Sequence, residues 1–147
     1  MRVTVRAAQL TDAEAVATLL TQMGYPTATE AAEGHIDRFT RGSASYLQVA
    51  ELGPEVVGLV ATHLVPRMDD DEWSCRITDL VVSNAHRRLG FGSVLLTAAE
   101  GHARTHGARR LDLSSGDWRQ DAHAFYPKAG FTSHSRGFTR RLVEPSE

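Results

Sequence analysis

The spacing of apolar residues along this chain changes period several times, and each change marks an element. Val3-Thr4-Val5-Arg6 alternates as a short strand does. Thr11-Asp12-Ala13-Glu14 offers a helix cap and an acidic first turn ahead of Ala15-Val16-Ala17-Thr18-Leu19-Leu20, and Gly24 with Pro26 beyond it should stop that helix. Thr29 to Phe39 reads as a second, more polar helix closed by Gly42. Tyr46 to Glu51 and Val56 to Leu64 read as two strands joined across Leu52-Gly53-Pro54-Glu55, a hairpin. The acidic turn Asp69-Asp70-Asp71-Glu72 leads into a further strand that ends at Val82.

Beyond Val82 the stretch from Ile77 to Leu96 reads as strand, glycine-containing loop and helix. Leu95, Ala99 and His102 share one face of the helix predicted over Ser93 to His106, which Gly107 closes. Leu111-Asp112-Leu113-Ser114 is another short strand, Arg119 to Lys128 a helix broken near Pro127, and Phe131 to Leu142 holds a terminal strand or hairpin turning at Gly137. The order of elements predicts a mixed α/β fold, expected as a single domain over residues 1–147.

Composition narrows the function classes. At 147 residues, 41% hydrophobic and 23% charged, the chain can bury a core without metal or disulfide staples. A net charge of −2 gives no bulk signal for nucleic acid or an anionic membrane, and no apolar run approaches the length of a bilayer span. Cys75 is the only cysteine and the first residues lack the apolar core of a signal peptide, so a cytoplasmic setting is expected.

The candidate chemistry begins where Ile77-Thr78-Asp79-Leu80-Val81-Val82 runs through Ser83-Asn84-Ala85-His86 into Arg87-Arg88-Leu89-Gly90-Phe91-Gly92-Ser93. Two glycines let the backbone come close to a ligand, and the N–H groups at a helix start suit an anion such as pyrophosphate. R-x-x-G-x-G alone is a weak signal. A dinucleotide-binding fingerprint competes, with Asp112 about 20 residues on as the ribose acid. That reading puts Leu95 where a third glycine should pack and leaves too few β-α units after the loop. A P-loop is excluded, because the chain has no Gly-Lys-Ser/Thr.

Two separated motifs resemble the GNAT superfamily of acetyl-CoA-dependent N-acetyltransferases. Leu80-Val81-Val82 followed by Arg87-Arg88-Leu89-Gly90-Phe91-Gly92 is similar to the family's acyl-CoA motif in residue type and spacing. Arg119-Gln120-Asp121-Ala122-His123-Ala124-Phe125-Tyr126-Pro127-Lys128-Ala129-Gly130-Phe131 is similar to its closing helix, which ends in Y-x-x-x-G-F. The resemblance implies a central twisted mixed sheet with helices on both faces, whose fourth and fifth strands splay apart to admit the cofactor. It implies transfer of acetyl from acetyl-CoA to a primary amine in a ternary complex, with no metal, and a homodimer as members often form.

It also implies roles. Backbone groups of Leu80, Val81 and Val82 would pair with the pantetheine arm as if with another strand. Residues Arg87, Arg88, Leu89, Gly90, Phe91 and Gly92 would donate N–H groups to the pyrophosphate, and Ser93 its hydroxyl. Arg87 and Arg88 can also meet phosphate through their side chains, against the plainer reading of solvated loop arginines. Tyr126 would protonate the departing thiolate, a phenol and a thiol being of similar basicity, against a core aromatic packed on the sheet. Arg119 stands where many members have asparagine, and would touch the cofactor or cap a helix end.

The general base is the weakest assignment. Arg76 occupies the early position some relatives use and cannot serve, and of an acidic pair before the L-x-V segment only Asp79 remains, beside Thr78. Asp79 is the candidate base, with Glu72 and a water chain behind it. The acceptor is expected to be a small-molecule amine; a protein amine, or acyl-CoA binding without turnover, are the alternatives. His102 and His106 have metal-ligand spacing but no third ligand, Cys75 reads as a packed thiol, and Asp69 to Glu72 as a solvated turn.

Overall fold

The computed structural model describes residues 2–114, 120–133 and 138–143. These form two compact units, Met1–Leu113 and Ser114–Glu147. The first unit holds strands β1 (Val3–Ala7), β2 (Ser45–Leu52), β3 (Glu55–Pro66), β4 (Trp73–Val82) and β5 (Ala108–Leu113), with helices α1 (Ala13–Gln22), α2 (Thr29–Arg41) and α3 (Phe91–Thr105). The second holds α4 (Gln120–Lys128).

The five strands pair in the order β1-β2-β3-β4-β5, antiparallel except for the parallel pair β4-β5, which α3 connects. Sequential hairpin pairing explains the first four; a parallel neighbour requires a crossover, and α3 supplies it. The β2-β3 turn is tighter than expected, because both strands extend inward to leave only Gly53 and Pro54, with Gly53 at φ +60°. The α3 helix begins two residues earlier than the periodicity indicates, because Phe91 is buried and anchors its first turn.

One face of the sheet carries α1 and α2. Val16, Leu19, Ala32 and Ile36 pack there on Leu47, Val49, Leu59, Ala61 and Val81. Burying each of the larger side chains stabilises the fold by about 1.5–3 kcal/mol. The other face carries α3, since strand residues alternate sides and Gly58, between the inward Val57 and Leu59, lies against Leu95. A Cβ at Gly58 would stand 2.9 Å from Leu95 Cδ1 and 3.0 Å from the Val81 carbonyl oxygen, so glycine here sets how closely α3 seats on β3.

In the second unit α4 continues through Pro127 to Lys128; Pro127 falls in the last turn, so its missing N–H removes a single bond of the helix just before the helix ends. Gly130 at φ +96° turns the chain so that the Phe131 N–H donates to the Tyr126 carbonyl at 3.1 Å. The expected terminal strand is not formed by the described residues of Phe131 to Leu142. Phe138 and Leu142 are almost fully exposed, leaving no buried face to hold a strand. Gly137 lies outside the described residues.

Candidate active site

The parallel ladder between β4 and β5 runs from Trp73↔Ala108 to Ile77↔Leu113 and stops. β4 continues to Val82, paired with β3 through Asp79↔Ala61, Leu80↔Val60, Val81↔Leu59 and Val82↔Gly58. On its other side no strand among the described residues pairs with Thr78–Val82, which leaves about 17 Å of strand edge open at one residue per 3.4 Å. An open edge presents unpaired N–H and C=O groups that an extended, amide-bearing molecule can satisfy.

The loop after Val82 is pinned at its start. Ser83 N–H donates to the Val57 carbonyl and Asn84 N–H to Gln22 Oε1, each at 2.8 Å, and His86 N–H to the Ser83 carbonyl at 2.9 Å. The His86 ring packs on Phe91 with centroids 6.2 Å apart. Two residues then take left-handed backbone, Arg88 at φ +65° and Gly90 at φ +84°, and Gly90 caps α3. A non-glycine residue held at positive φ is strained and is a pointer to function. The N–H groups of Phe91, Gly92 and Ser93 have no carbonyl partners within the helix, and nothing lies within 4 Å of where a Cβ on Gly90 would be. Arg87, Arg88 and Leu89 are exposed in the same loop. The unpaired edge thus leads into a helix start of the kind that suits an anion.

At the far end of the edge lies a β-bulge. Ala61 pairs with Asp79 and Thr62 with Ile77, so Thr78 is an extra residue on β4. Thr78 Oγ1 is 3.1 Å from His63 Nε2, and His63 Nδ1 is 2.9 Å from Ser45 Oγ, its cross-strand partner on β2. Phe39 of α2 covers the imidazole at a centroid distance of 5.1 Å. Further along the sheet, a cavity of about 290 Å³ is lined by Val65, Pro66, Arg67, Asp69, Ser74, Arg76 and Asp112. Arg67 holds Asp69 at 2.8 Å, and that hydrogen bond keeps the Asp69 carboxyl below its usual range. The turn Asp69 to Glu72 is therefore partly structural, Asp70 and Glu72 also meeting Arg110 at 3.4 Å.

The expected site residues Asp79, Leu80, Val81, Val82, Arg87, Arg88, Leu89, Gly90, Phe91, Gly92 and Ser93 all fall on this one edge-loop-helix path. Tyr126 lies on α4 in the second unit, half-buried, its ring edge-on to Phe125 at 5.3 Å and to Phe131 at 5.7 Å. Arg119 lies outside the described residues. His102 stacks on Tyr46 at 4.0 Å and its pKa is lowered by burial and then by His106; among the described residues no group of three or more His, Cys, Asp or Glu is placed to hold a metal ion. Cys75 is fully buried, which pushes its thiol up, away from nucleophilic use. Ser45, His63 and Thr78 are absent from the sequence-based set. Their one signal was a polar pair, Thr62-His63, inside an apolar strand, and only the bulged register brings Thr78 to it.

Comparison with known proteins identifies the family. A family model described as the acetyltransferase (GNAT) family matches residues 12–131. The aminoalkylphosphonate N-acetyltransferase of Salmonella typhimurium is 38% identical over 88 residues, which are 60% of this chain and 57% of that relative's own length. Among solved structures, a transcriptional regulator from Bacillus halodurans superposes with a TM-score of 0.89 at 23% identity, covering 96% of this chain and 100% of the other. An aminoglycoside N-acetyltransferase in complex with CoA superposes with a TM-score of 0.86 at 14% identity, covering 97% of this chain and 96% of the other. With an edge-loop-helix path of the expected sequence and a family model spanning most of its length, the chain belongs to the acetyltransferase (GNAT) family.

Proposed function

We propose that the protein transfers the acetyl group of acetyl-CoA to the primary amine of a small molecule. The observation that carries this reading is the open edge Thr78–Val82 leading into left-handed Gly90 and the start of α3. Pyrophosphate would sit on the N–H groups of Phe91, Gly92 and Ser93, assisted by Arg87 and Arg88. The pantetheine arm would then run back along Val82, Val81 and Leu80. The pairing of Ile77 with Leu113 closes the groove, so the acyl end would stop beside Thr78 and Asp79. There a strand N–H would polarise the thioester oxygen, and holding both reactants together supplies much of the acceleration. Tyr126 would protonate the leaving thiolate, as its motif implies. Asp79 would draw the cationic amine to the point of attack.

Two observations support a small acceptor. The Salmonella relative acts, by its name, on aminoalkylphosphonates. The 290 Å³ cavity carries both signs of charge, Arg76 and Asp112 beside the ion pair of Arg67 with Asp69, which would suit a zwitterionic amino acid or aminophosphonate. Free-thiol release from acetyl-CoA should be measured against aminoalkylphosphonates, amino acids, polyamines, aminoglycosides and a lysine peptide. A small zwitterionic amine should raise thiol release well above the acceptor-free rate. Binding of acetyl-CoA with no release for any amine would instead make this a non-catalytic acyl-CoA module.

A further inference from the structure

We propose that the proton lost by the acceptor amine leaves through the Thr78 hydroxyl to His63, with Ser45 fixing the imidazole. This rests on the acetyl-transfer reading and gives His63 the role that the sequence alone gives to Asp79. The geometry is a chain of three side chains from three adjacent strands, Ser45 on β2, His63 on β3 and Thr78 on β4, joined at 2.9 and 3.1 Å. The tautomer that satisfies all three carries its proton on Nδ1, donated to Ser45 Oγ, and leaves the Nε2 lone pair to accept from Thr78 Oγ1–H. Nucleophile-activating sites use the same logic, one group orienting the ring while the opposite nitrogen takes the proton.

The position is as telling as the bonds. Thr78 is the bulged residue at the point where the open edge meets the resumed β4-β5 pairing, which is where an acyl group laid along that edge must end. Bulges re-aim side chains, and this one brings the exposed Thr78 hydroxyl to His63 at the closed end of the groove. The groups around the imidazole are Ser45 from β2, Phe39 from α2, and from β4 Arg76, directly opposite His63 in register, with Asp79 on the same face beyond Thr78.

The step balances as follows. The acceptor arrives as an ammonium ion; one N–H proton moves to Thr78 Oγ1 while the hydroxyl's own proton moves to His63 Nε2. The freed lone pair forms the N–C bond to the thioester carbonyl, the C–S bond breaks with its electron pair on sulfur, the nitrogen's second proton passes to water, and the thiolate takes the Tyr126 phenolic proton, which water then restores. The imidazolium then releases its proton to water.

The test is kcat, amine KM, the pH profile of kcat and acetyl-CoA affinity for wild type, His63→Gln, Thr78→Val, Thr78→Ser and Asp79→Asn. His63→Gln and Thr78→Val should each lower kcat about 10²-fold, leave acetyl-CoA affinity within about twofold and flatten the rise of kcat between about pH 5 and 8. Thr78→Ser, which keeps the hydroxyl, should stay within about fivefold of wild type and keep that rise. If His63→Gln also loses acetyl-CoA binding, the Thr78 pair decides. The proposal is overturned if His63→Gln retains both rate and pH rise, if Thr78→Val matches Thr78→Ser, or if Asp79→Asn alone removes the rise. A wild type that binds acetyl-CoA but acetylates nothing overturns the acetyl-transfer reading itself.

Discussion

The two ends of the open β4 edge are built in opposite ways. At the Val82 end the groups offered are backbone N–H groups, supplied by contiguous residues and shaped by the left-handed turn at Gly90. At the Thr78 end they are side chains from three strands, joined only because a bulge shifts β4 by one residue against β3. In the proposed function the first end would recognise any molecule with a pyrophosphate, and the second would discriminate and react. On that reading shared cofactor chemistry sits in local backbone, whereas acceptor chemistry sits in tertiary register.

That contrast can be broken by substitutions that should separate binding from rate. Tyr126→Phe should lower kcat about 10–10²-fold with acetyl-CoA affinity unchanged, measured by thiol release and calorimetry; an unchanged kcat would assign the thiolate's proton elsewhere. Gly58→Ala, at the seat of α3 on the sheet, should cost about 1–3 kcal/mol by denaturant unfolding, because the new methyl meets Leu95 and the fixed Val81 carbonyl. A neutral result would mean that α3 can slide without harm to the fold. Arg87→Ala and Arg88→Ala should each weaken acetyl-CoA about three- to tenfold with kcat retained, since exposed arginines add modestly to what the backbone holds.

A third region sharpens the comparison by having no part in the chemistry. Arg6 forks onto Asp12 at 2.8 Å and onto Glu51 at 3.0 Å, tying β1, the start of α1 and β2 together. Its hydrogen bond lowers the Asp12 pKa, and Asp12 also accepts from the Gln9 N–H. A carboxyl depressed by folding stabilises above its unfolded pKa near 4 and ceases to as pH falls through the folded value. Asp12→Asn should therefore cost about 1–2 kcal/mol at pH 7, and the difference from wild type should shrink steadily below about pH 4, by unfolding at each pH.

The same contrast explains what was legible in the sequence. Gly24, Gly90 and Gly107 mark local backbone requirements at positive φ; Gly24 and Gly107 follow the ends of α1 and α3 as expected, whereas Gly90 caps an α3 that begins two residues before the expected Ser93. The placement of Leu80 to Ser93 on one strand, loop and helix start was readable because it depends on neighbours in the chain. Thr78 was readable only as a neighbour of Asp79, since a bulge is a property of two strands and leaves no local trace. His63 looked like one polar residue in an apolar run until Ser45 and Thr78 came beside it. The described residues of the segment expected to hold a terminal strand or hairpin form none, because Phe138 and Leu142 are almost fully exposed and supply no buried face; its expected turn at Gly137 lies outside the described residues.

The central claim is tested most directly by calorimetric titration of acetyl-CoA into the wild type and a Gly90→Asp, Gly92→Asp double variant. The account predicts a saturable wild-type isotherm and at least about 100-fold weaker binding by the variant, since the added side chains bring negative charge to the pyrophosphate site and aspartate is strained at the φ of Gly90. Equal affinity in the two proteins, or no binding of any acyl-CoA by the wild type, would contradict it.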